Sequence, residues 1–159
     1  MAYSAAGAND VTIAVKELKS KPYIDLTLQI MKHFGWEVDN IDYKTFFFRN
    51  AVPNPQPKNT YYTIEGDWSG AAFLLVAGAI AGPITIKGLD TCSTQADKAV
   101  LRALTDCGCQ LSIRAEQIEI GPLPLKAFHF NANDCPDLFP PLVALAAYCK
   151  GTTVIEGVH

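Results

Sequence analysis

A pattern that occurs twice, about 70 residues apart, constrains the fold of this chain more than any other feature. Residues 66–82 and residues 136–151 each contain an Asp, then an apolar run rich in alanine, then a Gly. A short segment with β-branched residues follows each Gly. Each copy therefore predicts a helix followed by a strand, and a repeat at constant spacing indicates an architecture of repeated units.

A second pair of segments repeats out of phase with the first. Residues 25–35 and 97–108 have apolar side chains three and four positions apart, which predicts two amphipathic helices. An Asp stands at the start of each segment and a Gly at the end, as helix caps often do. The chain therefore alternates two kinds of helix.

A β-hairpin is predicted after each helix of the second pair. The first hairpin, residues 36–49, has Asp39 and Asn40 as its turn, and the second, residues 110–121, turns at 114–116. Further strands are predicted at residues 11–15 and 61–64, whereas three alternating prolines exclude regular structure from residues 52–58. This order predicts an α/β chain of repeated βαβαββ units, incomplete at both ends, with a boundary near residues 64–66.

Composition excludes several classes of protein. The 159 residues suffice for one full core or two small ones. No apolar run reaches the ~20 residues of a membrane span, and no signal peptide is visible, so no membrane association is expected. The net charge of −3 and the lack of a basic cluster argue against a nucleic-acid partner.

The five cysteines match no zinc pattern, so no metal site is expected. Cys107 and Cys109 flank Gly108 at a predicted helix end. Small buried thiols in a reducing cytosol are the favoured interpretation there, ahead of a metal or redox pair. The three histidines, His33, His129 and His159, have no partner pattern for nucleophilic catalysis.

Four short motifs occur in order along the chain, at residues 18–27, 62–71, 95–97 and 135–153. Together they resemble the EPSP synthase (3-phosphoshikimate 1-carboxyvinyltransferase) family, and the resemblance covers nearly the whole chain, residues 10–159. Residues 18–27 resemble its Ser-x-Pro-Tyr-Ile-Asp segment, and residues 62–71 its Gly-Asp-x-Ser-Ser-Ala stretch. Residues 95–97 resemble its Gln-Gly-Asp, and residues 135–153 its Pro-Asp helix and Lys-Gly-Thr-Thr. The chain departs from these motifs at Gly70, Ala96 and Cys135.

The resemblance implies the enolpyruvyl transferase fold, an inside-out β/α barrel in each of two domains with three βαβαββ units apiece. Residues 1–64 would be the last unit of one domain, and residues 65–159 one and a half units of the other, truncated at its C-terminal end. It implies transfer of the enolpyruvyl group of phosphoenolpyruvate to the 5-hydroxyl of shikimate 3-phosphate, with release of phosphate, in the cytoplasm and without cofactor or metal.

The resemblance also implies site residues. Asp137 would bind shikimate 3-phosphate and remove the proton of its hydroxyl, and Ser20 and Tyr23 would bind its phosphate. From position alone, Asp137 and Ser20 are helix caps and Tyr23 packs its ring. Asp67 and Asp97 are interpreted as caps or domain-joining residues.

The charge composition of the chain predicts that the chain alone has no transferase activity. Two phosphorylated, carboxylated substrates require convergent Lys and Arg side chains, whereas this chain has 13 Lys plus Arg against 16 Asp plus Glu. The truncated unit is also expected to expose strand edges that could drive self-association. Two alternatives stay open: an enzyme like UDP-N-acetylglucosamine enolpyruvyl transferase, and a structural module without catalysis.

Overall fold

The computed structural model describes residues 11–48, 61–115 and 117–158. The chain forms two compact units that divide between Thr63 and Ile64, and each is described by itself. The predicted proline-rich segment 52–58 and His159 lie outside the described residues.

In its described residues, the first unit has a three-stranded antiparallel sheet and one helix. The elements are β1 (Val11–Ala14), α1 (Lys21–His33), β2 (Val38–Ile41) and β3 (Thr45–Phe48). The strand order is β1-β3-β2, so β3 is central. Alternate residues of a strand face opposite sides of a sheet, and Phe46 and Phe48 are accordingly the buried members of β3.

The first hairpin turns three residues later than predicted. Asp39 and Asn40 lie inside β2, and residues 42–44 form the turn, where the Lys44 N–H donates to the Ile41 carbonyl at 3.0 Å. Asp42 and Tyr43 have φ of 51° and 57°, the positive values that tight hairpin turns require. The Asn40 side chain accepts from the Tyr43 N–H at 2.9 Å, which stabilises this strained turn.

The second unit has a helical layer against two small sheets. Its helices are α2 (Trp68–Ala81), α3 (Val100–Asp106) and α4 (Phe139–Ala146). Single 3₁₀ turns, Ala96–Ala99 and Pro136–Leu138, precede α3 and α4. Because α2 is apolar on nearly every side, it is the centre of the core, with Trp68, Ala72 and Leu75 all fully buried.

Antiparallel and parallel strands both occur in the second unit. The strands are β4 (Ile84–Lys87), β5 (Gln110–Ile113), β6 (Gln117–Gly121), β7 (His129–Asn131) and β8 (Val154–Glu156). One antiparallel sheet has the order β4-β6-β5, and β7 pairs in parallel with β8. The predicted second hairpin is confirmed, since the Arg114 N–H donates to the Gln117 carbonyl at 2.9 Å.

Three predicted elements differ from the structure. Residues 61–67 have no regular structure, so the strand predicted at 61–64 is wrong. The helix predicted from Asp25 already begins at Lys21. The last helix ends at Ala146, and consecutive tight turns then lead to Gly151. Helix termini often tighten in this way, and an apolar run cannot reveal it.

Within the described residues, no helix is long and apolar enough to cross a membrane.

Candidate functional site

Ser20 stands at the N-terminus of α1 in a conformation that leaves its hydroxyl uncommitted. Its backbone is left-handed, with φ of 54° and ψ of 42°, and its side chain makes no capping hydrogen bond. Only its carbonyl participates, accepting from the Tyr23 N–H at 3.1 Å. The interpretation of Ser20 as a side-chain cap is therefore wrong, and its half-buried hydroxyl remains available to a ligand.

Tyr23 lies in the first turn of α1 and is half-buried. Pro22 precedes it at a helix start, where a missing N–H donor has little cost. The backbone N–H groups of a first helical turn have no intrahelical acceptor, and together with the helix dipole they favour an anion. Ser20 and Tyr23 thus lie at a position suited to phosphate.

A contact between Asp25 and Tyr43 supports this turn of α1. The Tyr43 hydroxyl donates to both carboxylate oxygens of Asp25, at 2.8 and 3.0 Å. This hydrogen bond is the main cause that raises the pKa of Tyr43 above its ordinary value. Lys21 also interacts with Tyr43, because its ammonium lies 5.2 Å from the centre of the Tyr43 ring.

Tyr43 was not among the site residues predicted from the sequence, because the hairpin turn was predicted at Asp39 and Asn40. Asp25 is likewise not a cap: it lies in the second turn of the helix and accepts from Tyr43. Pro22, a residue typical of the first helical position, places Asp25 inside the helix rather than at its cap, and this was the available signal.

Asp137 lies in the 3₁₀ turn Pro136–Leu138 with its side chain exposed. Cys135 occupies the capping position of that turn, and the cap has no side-chain hydrogen bond. Among the described residues, the Asp137 carboxylate has neither a hydrogen bond nor an ion pair. Leu138, fully buried beside it, anchors the turn in the core. Asp137 is therefore a fixed but uncommitted carboxylate, and the interpretation as an N-cap is wrong.

Asp67, by contrast, is a helix cap as predicted. Its carboxylate accepts from the backbone N–H groups of Ser69 and Gly70 at 3.0 and 3.1 Å. Both oxygens are committed to the start of α2, so this carboxylate is structural. Asp67 and Asp137 open comparable segments of the repeat and yet have different environments.

Gln95 connects the two central motifs. Its side-chain amide donates to the Gly66 carbonyl at 2.9 Å and accepts from the Trp68 N–H at 2.9 Å. The Trp68 indole N–H donates to the Asp90 carbonyl at 3.1 Å, so that the segment containing Asp90 and Gln95 is attached to the start of α2 by a further hydrogen bond. The Gln95 side chain therefore holds the backbone of the motif residues 66–68 in place.

Asp97 is buried, at 1% exposure, inside the turn Ala96–Ala99. It is not a side-chain cap of that turn, which corrects this part of the prediction. The Cys135 thiol is close enough that the Asp97 charge, after burial itself, contributes to raising the pKa of Cys135 to about 11.

The histidines within the described residues form only exposed contacts. His33 shares a hydrogen bond of 3.2 Å with the Tyr61 carbonyl and packs edge-on to Phe34 and Tyr62. His129 lies 3.4 Å from the Glu156 carboxylate. No cluster of three metal-ligating side chains occurs in residues 11–48, 61–115 and 117–158.

The chain matches the family model of EPSP synthase (3-phosphoshikimate 1-carboxyvinyltransferase) over residues 1–159. The chain is 39% identical to the 3-phosphoshikimate 1-carboxyvinyltransferase of Clostridium kluyveri, covering 87% of this chain and 32% of that protein. It is 36% identical to the protein of the same name from Pyrococcus furiosus, covering 87% and 34%. The chain thus spans about a third of the length of these relatives.

Solved structures share the fold. The enolpyruvyl transferase NikO of Streptomyces tendae matches with a TM-score of 0.69 at 20% identity, over 93% of this chain and 35% of that one. An EPSP synthase from Acinetobacter baumannii matches with a TM-score of 0.67 at 22% identity, over 94% and 35%. The predicted fold class, repeated units of the enolpyruvyl transferase type, is thereby confirmed.

Proposed function

The chain belongs to the EPSP synthase (3-phosphoshikimate 1-carboxyvinyltransferase) family, and on this premise we propose that it is the central third of such an enzyme. The whole enzyme transfers the enolpyruvyl group of phosphoenolpyruvate to the 5-hydroxyl of shikimate 3-phosphate and releases phosphate. The observation that supports a catalytic role for this segment is the uncommitted carboxylate of Asp137 in a family motif.

In this proposal Asp137 is the general base. Its carboxylate takes the proton of the 5-hydroxyl as that oxygen attacks the enol carbon of phosphoenolpyruvate. An acid protonates the methylene carbon to a methyl group. When that methyl group gives a proton back to a base, the double bond re-forms and the C–O bond to phosphate breaks. A base must be free to accept a proton, and Asp137 meets this requirement whereas the capping Asp67 does not.

Ser20 and Tyr23 bind the phosphate of shikimate 3-phosphate in the same proposal. The free Ser20 hydroxyl donates to a phosphate oxygen, and the start of α1 contributes its backbone donors and dipole. Lys21 adds a positive charge at the same helix end. The contact between Asp25 and Tyr43 keeps this turn in place, and neither of these two side chains binds the ligand itself.

Three further proposals concern the domains to which the chain belongs, its cellular compartment and its self-association. We assign residues 1–64 to the last βαβαββ unit of one family domain and residues 65–159 to one and a half units of the other. Five free thiols fit a reducing cytoplasm, where we place the enzyme. Within the described residues, β1, β2, β4 and β5 each pair with one neighbouring strand only, and their outer edges support self-association when the chain is isolated.

A chimera tests the function. Residues 11–158 replace the matching segment of the Clostridium kluyveri relative, and transfer from phosphoenolpyruvate to shikimate 3-phosphate or to UDP-N-acetylglucosamine is measured. We expect turnover with shikimate 3-phosphate alone, and none from the isolated chain. A chimera that is folded by circular dichroism and elutes as the recipient does, yet is inactive, would contradict the proposal.

The role of Asp137 is tested in the same chimera. Asp137→Asn is expected to lower kcat by about 10²–10⁴-fold, because an amide cannot accept the proton. Asp134→Asn is the matched control, since Asp134 is an exposed carboxylate three residues earlier, and its kcat should stay within about twofold. Equal effects of the two substitutions would exclude Asp137 as the base.

A further inference from the structure

Two cysteine thiols of the second unit converge on a single backbone oxygen. The sulfurs of Cys107 and Cys109 both donate to the Leu104 carbonyl, at 3.3 and 2.8 Å. A third thiol, Cys149, follows α4 and donates to the Leu145 carbonyl at 3.3 Å, and Cys107 contributes to raising the pKa of Cys149 after burial itself. The proposed transferase chemistry uses none of these groups.

The backbone at the end of α3 holds this arrangement. The Cys109 N–H donates to the Leu104 carbonyl at 3.2 Å, and the Gly108 N–H donates to the Thr105 carbonyl at 3.0 Å. Gly108 has φ of +84°, so the three residues form the glycine-terminated helix end known as a Schellman motif. The motif reverses the chain between the two cysteines and directs both thiols to one side.

The two thiols differ in their access to solvent. Cys107 is fully buried, whereas Cys109 is half-buried. The Lys126 side chain passes over the turn, with its Cε 3.9 Å from the position that a Cβ on Gly108 would occupy. Cys109 is therefore the thiol of the pair that a small oxidant can reach, and the thiolate is the form of cysteine that reacts with oxidants.

The pair is more acidic than one cysteine, because on ionisation of Cys107 the Cys109 S–H can turn from the Leu104 carbonyl and form a hydrogen bond to the Cys107 thiolate. The bond from Cys109 lowers the pKa of Cys107 to about 7, against the opposing effects of burial and the Asp106 charge. The same bond raises the pKa of Cys109. The two sulfurs thus share one proton after the first has left, and the thiolate is distributed over the pair.

From this geometry we propose that Cys107 and Cys109 are a peroxide-sensitive dithiol that oxidises to a disulfide within the Cys-Gly-Cys turn. The shared proton first moves to Cys107, and the thiolate of Cys109, on the accessible side, attacks a peroxide oxygen. The O–O bond breaks, and the hydroxide leaves as water with the proton of Cys107. The Cys107 thiolate then attacks the sulfenic sulfur of Cys109. The S–S bond forms as the S–O bond breaks, and the second hydroxide leaves as water with a proton from solvent, so that two thiols lose two hydrogens and one peroxide becomes two waters.

Peptide mapping after peroxide treatment tests the proposal on the full 159-residue chain. The reduced chain is exposed to hydrogen peroxide, quenched, alkylated and cleaved with trypsin. Peptide 103–114 contains Cys107 and Cys109 and no other cysteine, whereas peptide 127–150 contains Cys135 and Cys149. We expect peptide 103–114 to lose two hydrogens and take up no alkyl group. Two alkyl groups on it, or a cross-link to peptide 127–150, would overturn the proposal.

Three controls separate this site from ordinary thiol oxidation. Cys109→Ser should abolish the loss of two hydrogens, and Cys149→Ser should leave it unchanged. Peptide 88–98, with the exposed Cys92 alone, should keep its alkyl group under the same conditions. The disulfide should also form faster in the folded chain than in guanidinium chloride, and an equal or slower rate would show that the turn does not prepare the pair.

Discussion

Single residues at comparable positions of the repeat have different roles, and their hydrogen bonds distinguish them. Asp67 gives both carboxylate oxygens to the backbone of α2, Asp25 accepts from the Tyr43 hydroxyl, and Asp137 is left exposed. All three are Asp residues near a helix start, so sequence position alone gave the same capping interpretation for each. The structure separates them because a cap requires a particular backbone geometry, which is set by neighbours on other elements.

At the residue scale, the Tyr43 hydrogen bond predicts a pH dependence. Because the bond to Asp25 raises the folded-state pKa of Tyr43, its contribution to stability is fully present below the ordinary pKa of about 10. That contribution is lost as pH rises through the higher, folded-state value. The difference in ultraviolet absorbance between the chain and its Tyr43→Phe variant should titrate above pH 10, and Asp25→Asn should bring the midpoint down. A midpoint unchanged by Asp25→Asn would contradict this contact.

Gly66 provides a second prediction at this scale. A Cβ on Gly66 would lie 2.4 Å from the Gly88 carbonyl oxygen, a backbone atom that cannot rotate away. Gly66→Ala should therefore destabilise the second unit by about 1–3 kcal/mol in urea unfolding. Gly82→Ala is the matched control, since its Cβ would meet nothing within 4 Å and its φ of 167° is extended. Equal losses for the two variants would exclude the close approach as the cause.

Whole elements were predicted better than their ends. The apolar runs at 66–82 and 136–151 do contain helices, because an alanine-rich run favours helix and needs burial. Their limits differ, since Pro136, Pro140 and Pro141 crowd the start of the second run and its last turns tighten before Gly151. Residues 61–64 are β-branched and aromatic yet form no strand, because strand formation requires a neighbouring strand for pairing.

At the element scale, we predict the contribution of the α2 cap. Asp67→Ala removes the acceptor of two backbone N–H groups and should lower the free energy of unfolding of the second unit by about 1 kcal/mol. Asp67→Asn keeps an acceptor oxygen at the same place and should lose less than half of that. Urea unfolding followed by Trp fluorescence measures both. Equal losses for Asn and Ala would show that Asp67 stabilises the unit through its charge and not through these two hydrogen bonds.

The two units differ in how much of each is buried. The hydrophobic core cluster lies within residues 68–145, in the second unit. In the described part of the first unit, Phe46 and Phe48 are the buried apolar side chains, and α1 has no buried residue. Burial of apolar surface is the main favourable term in folding, so the second unit has the larger source of stability.

At the scale of the molecule, this difference predicts separate stabilities. Amide hydrogens of α1 should exchange with solvent at least about tenfold faster than those of α2 in native-state hydrogen exchange. Residues 64–159 expressed alone should retain the slow exchange of α2. Uniform protection across both helices would instead show that the two units unfold as one.

The repeat, the alternation of helices and strands and, by resemblance, the family could all be predicted from the amino-acid sequence. These depend on local periodicity and on short motifs that are read along the chain. Three features became visible only in the folded chain: which Asp is left free, where the first hairpin turns, and that two thiols meet at one carbonyl. Each of these depends on contacts between distant residues or on the angles of a single turn, and the same residue types permit several such arrangements until packing selects one.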